Sequence, residues 1–137
     1  MTLDVEIMAD QIRRAFRGPS WHGPSVLEVL AGISAEDAAA RPIPDAHSIL
    51  EIVLHMTAGY RLVLRRIRGE QAQYSLEEGW PPAPALSSEA WLEIQRTLEE
   101  LNQQLQSAVR TFPSERLSQG LGSEYSAYTQ FCGSTPA

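Results

Sequence analysis

The sequence predicts an all-α protein, a helical bundle in a single domain of residues 1–137. Two observations support this fold class. Apolar residues recur at spacings of three and four in three long segments, which is the spacing of an amphipathic helix. No segment shows the alternating pattern of a β-strand, and no internal repeat is present. The length is sufficient for one hydrophobic core.

The N-terminal part predicts one long helix and two short ones. The long helix ends at Gly18-Pro19, and its apolar residues are Val5, Met8, Ile12, Ala15 and Phe16. A short helix through 26–31 follows Pro24, which suits a first helical position. Ser34, with Asp37 three residues later, predicts the cap of another short helix.

The central helix is predicted to start at a capping box of Ser48 and Glu51 and to stop at Gly69. One predicted apolar stripe contains Ile49, Ile52, Val53, Met56, Tyr60, Val63, Leu64 and Ile67. The opposite side carries Leu54, Ala58 and Leu62. Most of this helix is therefore apolar nearly all round, which predicts burial against more than one neighbour.

A linker reaches from Gly69 to about Leu86, and it becomes stiff at the proline-rich segment 79–84. Ser87 or Ser88 starts the next helix, which Pro113 ends. Its heptad-like apolar residues are Trp91, Ile94, Leu98, Leu101, Leu105, Ala108 and Phe112, with only charged or amide residues elsewhere. A loop over 114–122 leads to a shortened last helix from about Ser123, which Gly133 and Pro136 stop.

Composition excludes several classes of protein. The net charge of −6 is spread along the chain, so no basic patch predicts nucleic-acid binding. No apolar run of about 18 residues predicts a membrane span. The single cysteine, Cys132, excludes an internal disulfide and fits a reducing compartment. We expect a cytoplasmic protein with no membrane partner.

His55 is the first candidate for chemistry, because it lies within the apolar central helix. It is either a metal ligand or a neutral histidine that is hydrogen-bonded in the core. His47, Glu51 and His55 share one helix face, within about 80° at 100° per residue. His47 and His55 are about 12 Å apart along the axis, too far to bind one ion. The capping role of Glu51 is favoured over a ligand role.

Three other features have a structural and a functional interpretation. His22, in a loop flanked by glycine and proline, is a local hydrogen-bonding residue or a group at the mouth of the bundle. Cys132 is a small terminal residue or a reactive thiol. The basic end of the central helix complements the helix dipole or binds a carboxylate or thiol cofactor, and it contains Arg61, Arg65, Arg66 and Arg68.

Five segments together resemble the DinB/YfiT-like family over roughly residues 1–130. They are Trp21-His22-Gly23-Pro24-Ser25, Pro42-Ile43-Pro44-Asp45-Ala46-His47-Ser48-Ile49, Glu51-Ile52-Val53-Leu54-His55, Arg68-Gly69-Glu70 and Trp80-Pro81. The resemblance implies a four-helix bundle of up-down-down-up type, usually dimeric, with a divalent metal such as zinc or nickel between helices. It also implies thiol-dependent transferase or isomerase chemistry, and His55 maps onto the first metal ligand.

The sequence departs from this family in the last helix. Tyr125-Ser126-Ala127-Tyr128-Thr129 resembles the lead-in to that helix, but no His-x-x-x-His follows, since the chain has only His22, His47 and His55. Two of the three ligands that the resemblance implies are missing. We expect the C-terminus to be truncated or frame-shifted relative to a full-length member.

Two functions follow, with a bound metal and no metal equally expected. One is a metal-dependent transferase or hydrolase that acts on a small-molecule thiol or an unknown substrate. The other is a non-catalytic homodimeric bundle with a vestigial metal site. A dimer is expected in both cases, because a short last helix leaves Leu54 and Leu62 uncovered. Such a dimer could bring His22 or His47 of one subunit toward His55 of the other.

Overall fold

A computed structural model describes residues 3–120, 127, 130 and 131 of the chain. The described residues are helical and contain no β-strand, which confirms the all-α bundle. The elements are α1 (Leu3–Arg17), α2 (Val26–Leu30), α3 (Ala35–Ala39), α4 (Ile49–Ile67), α5 (Leu76–Gly79), α6 (Ser88–Arg110) and a 3-10 turn (Ser114–Arg116). None of these helices is both long and apolar enough to cross a membrane.

Three long helices form the core, because α6 packs against both α1 and α4. Each contributes fully buried side chains, and the largest are Ile12 and Phe16 of α1, Leu50 and Val53 of α4, and Leu98 and Leu105 of α6. These spacings of three and four turn one side of each helix toward a common centre. The amphipathic pattern of the sequence thus predicts the three-helix core correctly.

Two of the predicted helix starts are correct, because Ser34 and Ser87 cap α3 and α6. The predicted start of α2 at Pro24 is wrong, since the Ser25 hydroxyl accepts from the Glu28 amide and the first helical residue is Val26. Trp91 then ties the start of α6 to the segment between α2 and α3, since its indole Nε1 donates to the carbonyl of Ile33 at 2.8 Å. The short N-terminal helices are therefore fixed to the long ones through a buried aromatic anchor.

The buried side of α4 differs from the predicted apolar stripe. The side chains that face the core are Leu50, Val53, Thr57, Tyr60 and Leu64, while Ile52 is 45% exposed. The prediction missed Thr57, whose hydroxyl donates to the carbonyl of Val53 at 2.9 Å and so tolerates burial. Leu54 and Leu62 are partly buried, so the expected open groove at these two residues is absent.

Two amides of α6 also lie in the core, where the sequence predicted only apolar residues. Asn102 Nδ2 donates to the hydroxyl of Tyr60 at 3.2 Å, and Gln106 Nε2 donates to Asn102 Oδ1 at 2.6 Å. Burial raises the pKa of Tyr60 to about 12, against a smaller opposite effect of the Asn102 hydrogen bond. This buried polar network fixes how α4 and α6 are aligned along each other.

The basic end of α4 has a structural role at Arg66, which is buried. Its guanidinium donates to the carbonyl of Ala72 at 2.8 Å, to Gln73 Oε1 at 2.9 Å and to Gln130 Oε1 at 3.0 Å. These neutral acceptors satisfy a buried charge, which the sequence interpretation assigned to the helix dipole or to a cofactor site. Arg66 thereby joins α4 to the segment after it and to the last described residues.

The linker and the last helix complete the comparison with the sequence. The linker contains the single turn α5, which the prediction missed. Of the last helix, Ala127, Gln130 and Phe131 are described and helical, and Phe131 packs edge-on against Phe112 with ring centroids 5.0 Å apart. The predicted start near Ser123, its ends at Gly133 and Pro136, and Cys132 lie outside the described residues.

We expect Tyr60→Phe to change how stability depends on high pH. The folded pKa of Tyr60 is raised to about 12 from 10.0, so the unfolded chain loses this proton first and the folded state loses stability as pH rises through that window. The predicted loss is on the order of 2 kcal/mol for the wild type. Urea denaturation at a series of pH values measures it. Parallel stability curves for the wild type and Tyr60→Phe would contradict the assignment.

Candidate functional site

The candidate site lies where the 70–87 connection, which joins α4 to α6, crosses the outer face of α4. His55 is partly buried there, and its Nδ1 donates to the carbonyl of Gly79 at 2.7 Å. Because a carbonyl can only accept, Nδ1 carries a proton, and in the neutral form of the ring the lone pair is on Nε2. The hydrogen bond fixes the tautomer of His55 and attaches α5 to α4.

Trp80 lies between two histidines. Its indole stacks on His55 with ring centroids 3.9 Å apart and planes 4° apart, and on His47 with centroids 3.8 Å apart and planes 11° apart. His47 lies just before the Ser48 cap of α4, and not on the helix face where the sequence interpretation placed it with His55. The indole fills the gap between the two imidazole rings. The two imidazoles therefore cannot bind the same ion. We call this arrangement the His47–Trp80–His55 stack.

Local sequence in α5 explains how the connection presents Gly79 and Trp80. Ser75 and Glu78 form a capping box, with Ser75 Oγ accepting from the Glu78 amide at 3.1 Å and Glu78 Oε1 accepting from the Ser75 amide at 3.2 Å. Gly79 is buried against the ring of Tyr74, and a Cβ at this position would overlap that ring. The single helical turn is thus held at both of its ends.

Glu51 is occupied as a helix cap. Its Oε1 accepts from the Ser48 amide at 3.1 Å, and its Oε2 lies 3.1 Å from Nδ1 of His47. The Ser48 amide, followed by the His47 side chain, lowers the pKa of Glu51 to about 2. This geometry confirms the predicted capping box and leaves the carboxylate positioned for the backbone and not for a metal.

His22 lies elsewhere. It lines an apolar cavity together with Ile49, Ile52 and Met56 of α4. At 100° per residue, these three residues are about 60–120° from His55 around the axis of α4. Within one chain, the structure therefore brings His47 and His55 to a shared aromatic partner, but it does not bring His22 to them.

These placements allow a test of whether the residues fit a metal. A catalytic zinc site generally needs three protein ligands. Among the described residues, no three His, Cys, Asp or Glu side chains cluster in a way that could hold an ion. His47 faces the opposite side of Trp80, and Glu51 is a cap. The donor set around His55 does not fit a three-ligand metal site.

The sequence interpretation missed the roles of Gly79 and Trp80. Its only signal was the stiff Gly-Trp-Pro segment in a long connection. Gly79 is 24 residues from His55, so no helical spacing could link the two. An aromatic residue next to proline in such a connection, opposite two histidines on one helix face, is the signal that could have indicated the stack.

We expect Trp80→Ala to destabilise the fold, because it removes both stacked contacts. Each aromatic contact contributes about 0.5–1.5 kcal/mol, so the predicted loss is roughly 1–3 kcal/mol in the free energy of unfolding. Urea denaturation at neutral pH measures this loss. Leu92→Ala is the control, since Leu92 is 60% exposed on α6, and its expected change is within about 0.5 kcal/mol. Equal effects of the two variants would show that the stack contributes nothing to stability.

Comparison with known proteins agrees with this architecture. The family model of the DinB superfamily matches residues 20–129, which include α2 to α6 and the whole candidate site. Neither the comparison with curated proteins nor that with solved structures gives a match. The family match covers most of the chain, and it includes the His47–Glu51–His55 segment from which the resemblance was first inferred. The chain belongs to the DinB superfamily.

Proposed function

We propose that this chain is a degenerate member of the DinB superfamily in which His55 holds the 70–87 connection on α4 and does not bind a catalytic metal. The observation that supports the proposal is the His47–Trp80–His55 stack together with the hydrogen bond from His55 to Gly79. One ring nitrogen and one ring face of His55 are thereby used for contacts within the fold. This is the behaviour of a satisfied structural histidine.

The available donors support the same proposal. The chain contains three histidines, of which His22 lines a separate apolar cavity and His47 lies across Trp80 from His55. A lone imidazole binds zinc or nickel weakly, because a catalytic site usually combines three protein ligands. The fold of the superfamily is retained, while within the described part of the chain no three-ligand set accompanies His55.

A metal-dependent transferase is the second candidate, and one observation favours it. Histidines that bind metals usually donate their other ring N–H to a carbonyl or carboxylate, which orients the ring. His55 makes such a bond through Nδ1 to Gly79, and this leaves Nε2 as the atom that a metal would take. Under this alternative, a bound divalent metal lowers the pKa of a thiol or water.

Metal analysis of the purified protein separates the two candidates. After incubation with zinc or nickel and gel filtration, we expect well below one ion per chain and no rise in melting temperature, since a ligand that binds only the folded state must stabilise it. We expect His55→Gln to retain a side-chain donor near Gly79, and His22→Ala is the control that removes a histidine outside the stack. One ion per chain that His55→Gln loses and His22→Ala keeps would establish the metal-dependent alternative.

We also propose a homodimer. The supporting observation is now the large apolar side chains that remain exposed, above all Trp21 at 87% and Leu76 at 82%, in place of the predicted groove at Leu54 and Leu62. Exposed apolar residues of this size are typical of contact surfaces between proteins.

Sedimentation equilibrium at micromolar concentration tests the dimer. We expect twice the 15.2 kDa mass of one chain. The mass of a single chain across the concentration range would contradict the proposal.

A further inference from the structure

A second candidate site lies on the side of α4 next to the His47–Trp80–His55 stack. It is a cavity of about 230 Å³ between α1, α2 and α4. Buried side chains from the three helices form its floor, namely Ala15, Leu30 and Val53. Exposed side chains form its rim, namely His22, Val29 and Ile52. The proposed function uses none of these residues.

The lining defines the chemistry of a ligand. His22 is the one titratable side chain among the residues that line the cavity, and nearly all of the others are aliphatic. An engineered apolar cavity of about 150 Å³ is large enough to bind benzene. The present cavity is larger, so it accommodates one aromatic ring with a short substituent. Val29 and Ile52, at 56% and 45% exposed, would lose contact with water when such a ring binds.

His22 is held at the rim by a tight turn. Ser20 and Gly23 form an isolated antiparallel bridge around Trp21 and His22, and the Ser20 hydroxyl donates to the Gly23 carbonyl. Gly23 has a φ of +129°, which residues other than glycine rarely adopt. The next residue but one, Ser25, is fully buried and caps α2. The backbone of His22 is therefore fixed at the cavity by contacts on both sides of the residue.

We propose that this cavity binds a small, mostly apolar molecule with a single aromatic ring and one hydroxyl or other hydrogen-bonding group, which pairs with the imidazole of His22. The ring occupies the space over Ala15, Leu30 and Val53. Preformed apolar cavities with one or a few converging polar groups are typical ligand sites. The polar group at the rim then sets the orientation of the ligand, and the aliphatic floor supplies the contact area.

Two probes of nearly equal shape, p-cresol and toluene, test the proposal by isothermal titration calorimetry and by chemical shift changes in nitrogen-15 labelled protein. We expect both to bind, with shifts confined to residues of α1, α2 and α4 around the cavity. Ile52 is at an exposed rim position that tolerates a polar residue. Ile52→Asn should lower the affinity for each probe by about tenfold. Leu92→Asn is the matched control, since Leu92 is 60% exposed on α6 and does not line the cavity, and it should leave both affinities unchanged.

His22→Ala tests the polar contact. We expect this variant to lower the affinity for p-cresol by about fivefold to tenfold and to leave the affinity for toluene unchanged. Equal weakening of both probes would overturn the role of His22. Absence of binding by either probe, or equal loss in Ile52→Asn and Leu92→Asn, would overturn the site. A dimer that dissociates in Ile52→Asn while probe binding stays unchanged would assign this face to a second copy of the chain and also overturn the proposal.

Discussion

The rotation of α4 about its own axis is the constraint from which the rest of the molecule follows. Two contacts set it, namely the apolar row that begins with Leu50 and Val53 and the hydrogen bond between Tyr60 and Asn102 of α6. Since successive residues on a helix are about 100° apart, fixing one row fixes every other. Glu51 and His55 are thereby directed away from the core, and Ile49, Ile52 and Met56 are directed to the cavity. The two surfaces adjoin on the side of α4 away from the buried row, and they differ in chemistry.

The outer face of α4 shows how a histidine can be retained while its environment changes. Trp80 gives each of two imidazoles an aromatic face, and Gly79 gives His55 a carbonyl. Aromatic stacking and a backbone hydrogen bond are both compatible with a neutral ring. A residue that the family resemblance identifies as a metal ligand therefore has partners within the fold for one ring nitrogen and one ring face, and its presence in the sequence does not by itself indicate metal chemistry.

Sequence reasoning predicted local features well and tertiary ones less well. The Ser48–Glu51 capping box and the bounds of α4 follow from neighbouring residues, so they could be identified directly. The core row of α4 was misassigned because Thr57 satisfies its hydroxyl on its own helix, and hydropathy does not record such a bond. The burial of Asn102 could not be predicted, because its partner Tyr60 is 42 residues away. The same holds for the site, where Trp80 meets His55 only through the path of the connection.

The burial of Arg66 limits when the chain can fold during its synthesis. Its guanidinium leaves the ribosome 64 residues before Gln130, which supplies one of its three acceptors. Until that residue emerges, a charge that the finished protein buries must remain hydrated, since an unsatisfied guanidinium in an apolar interior is costly. The C-terminal end of α4 therefore cannot reach its final surroundings before Gln130 has been synthesised. Contacts over such long sequence separations form late, and the nascent bundle completes this part of its core only after the segment around Gln130 becomes available.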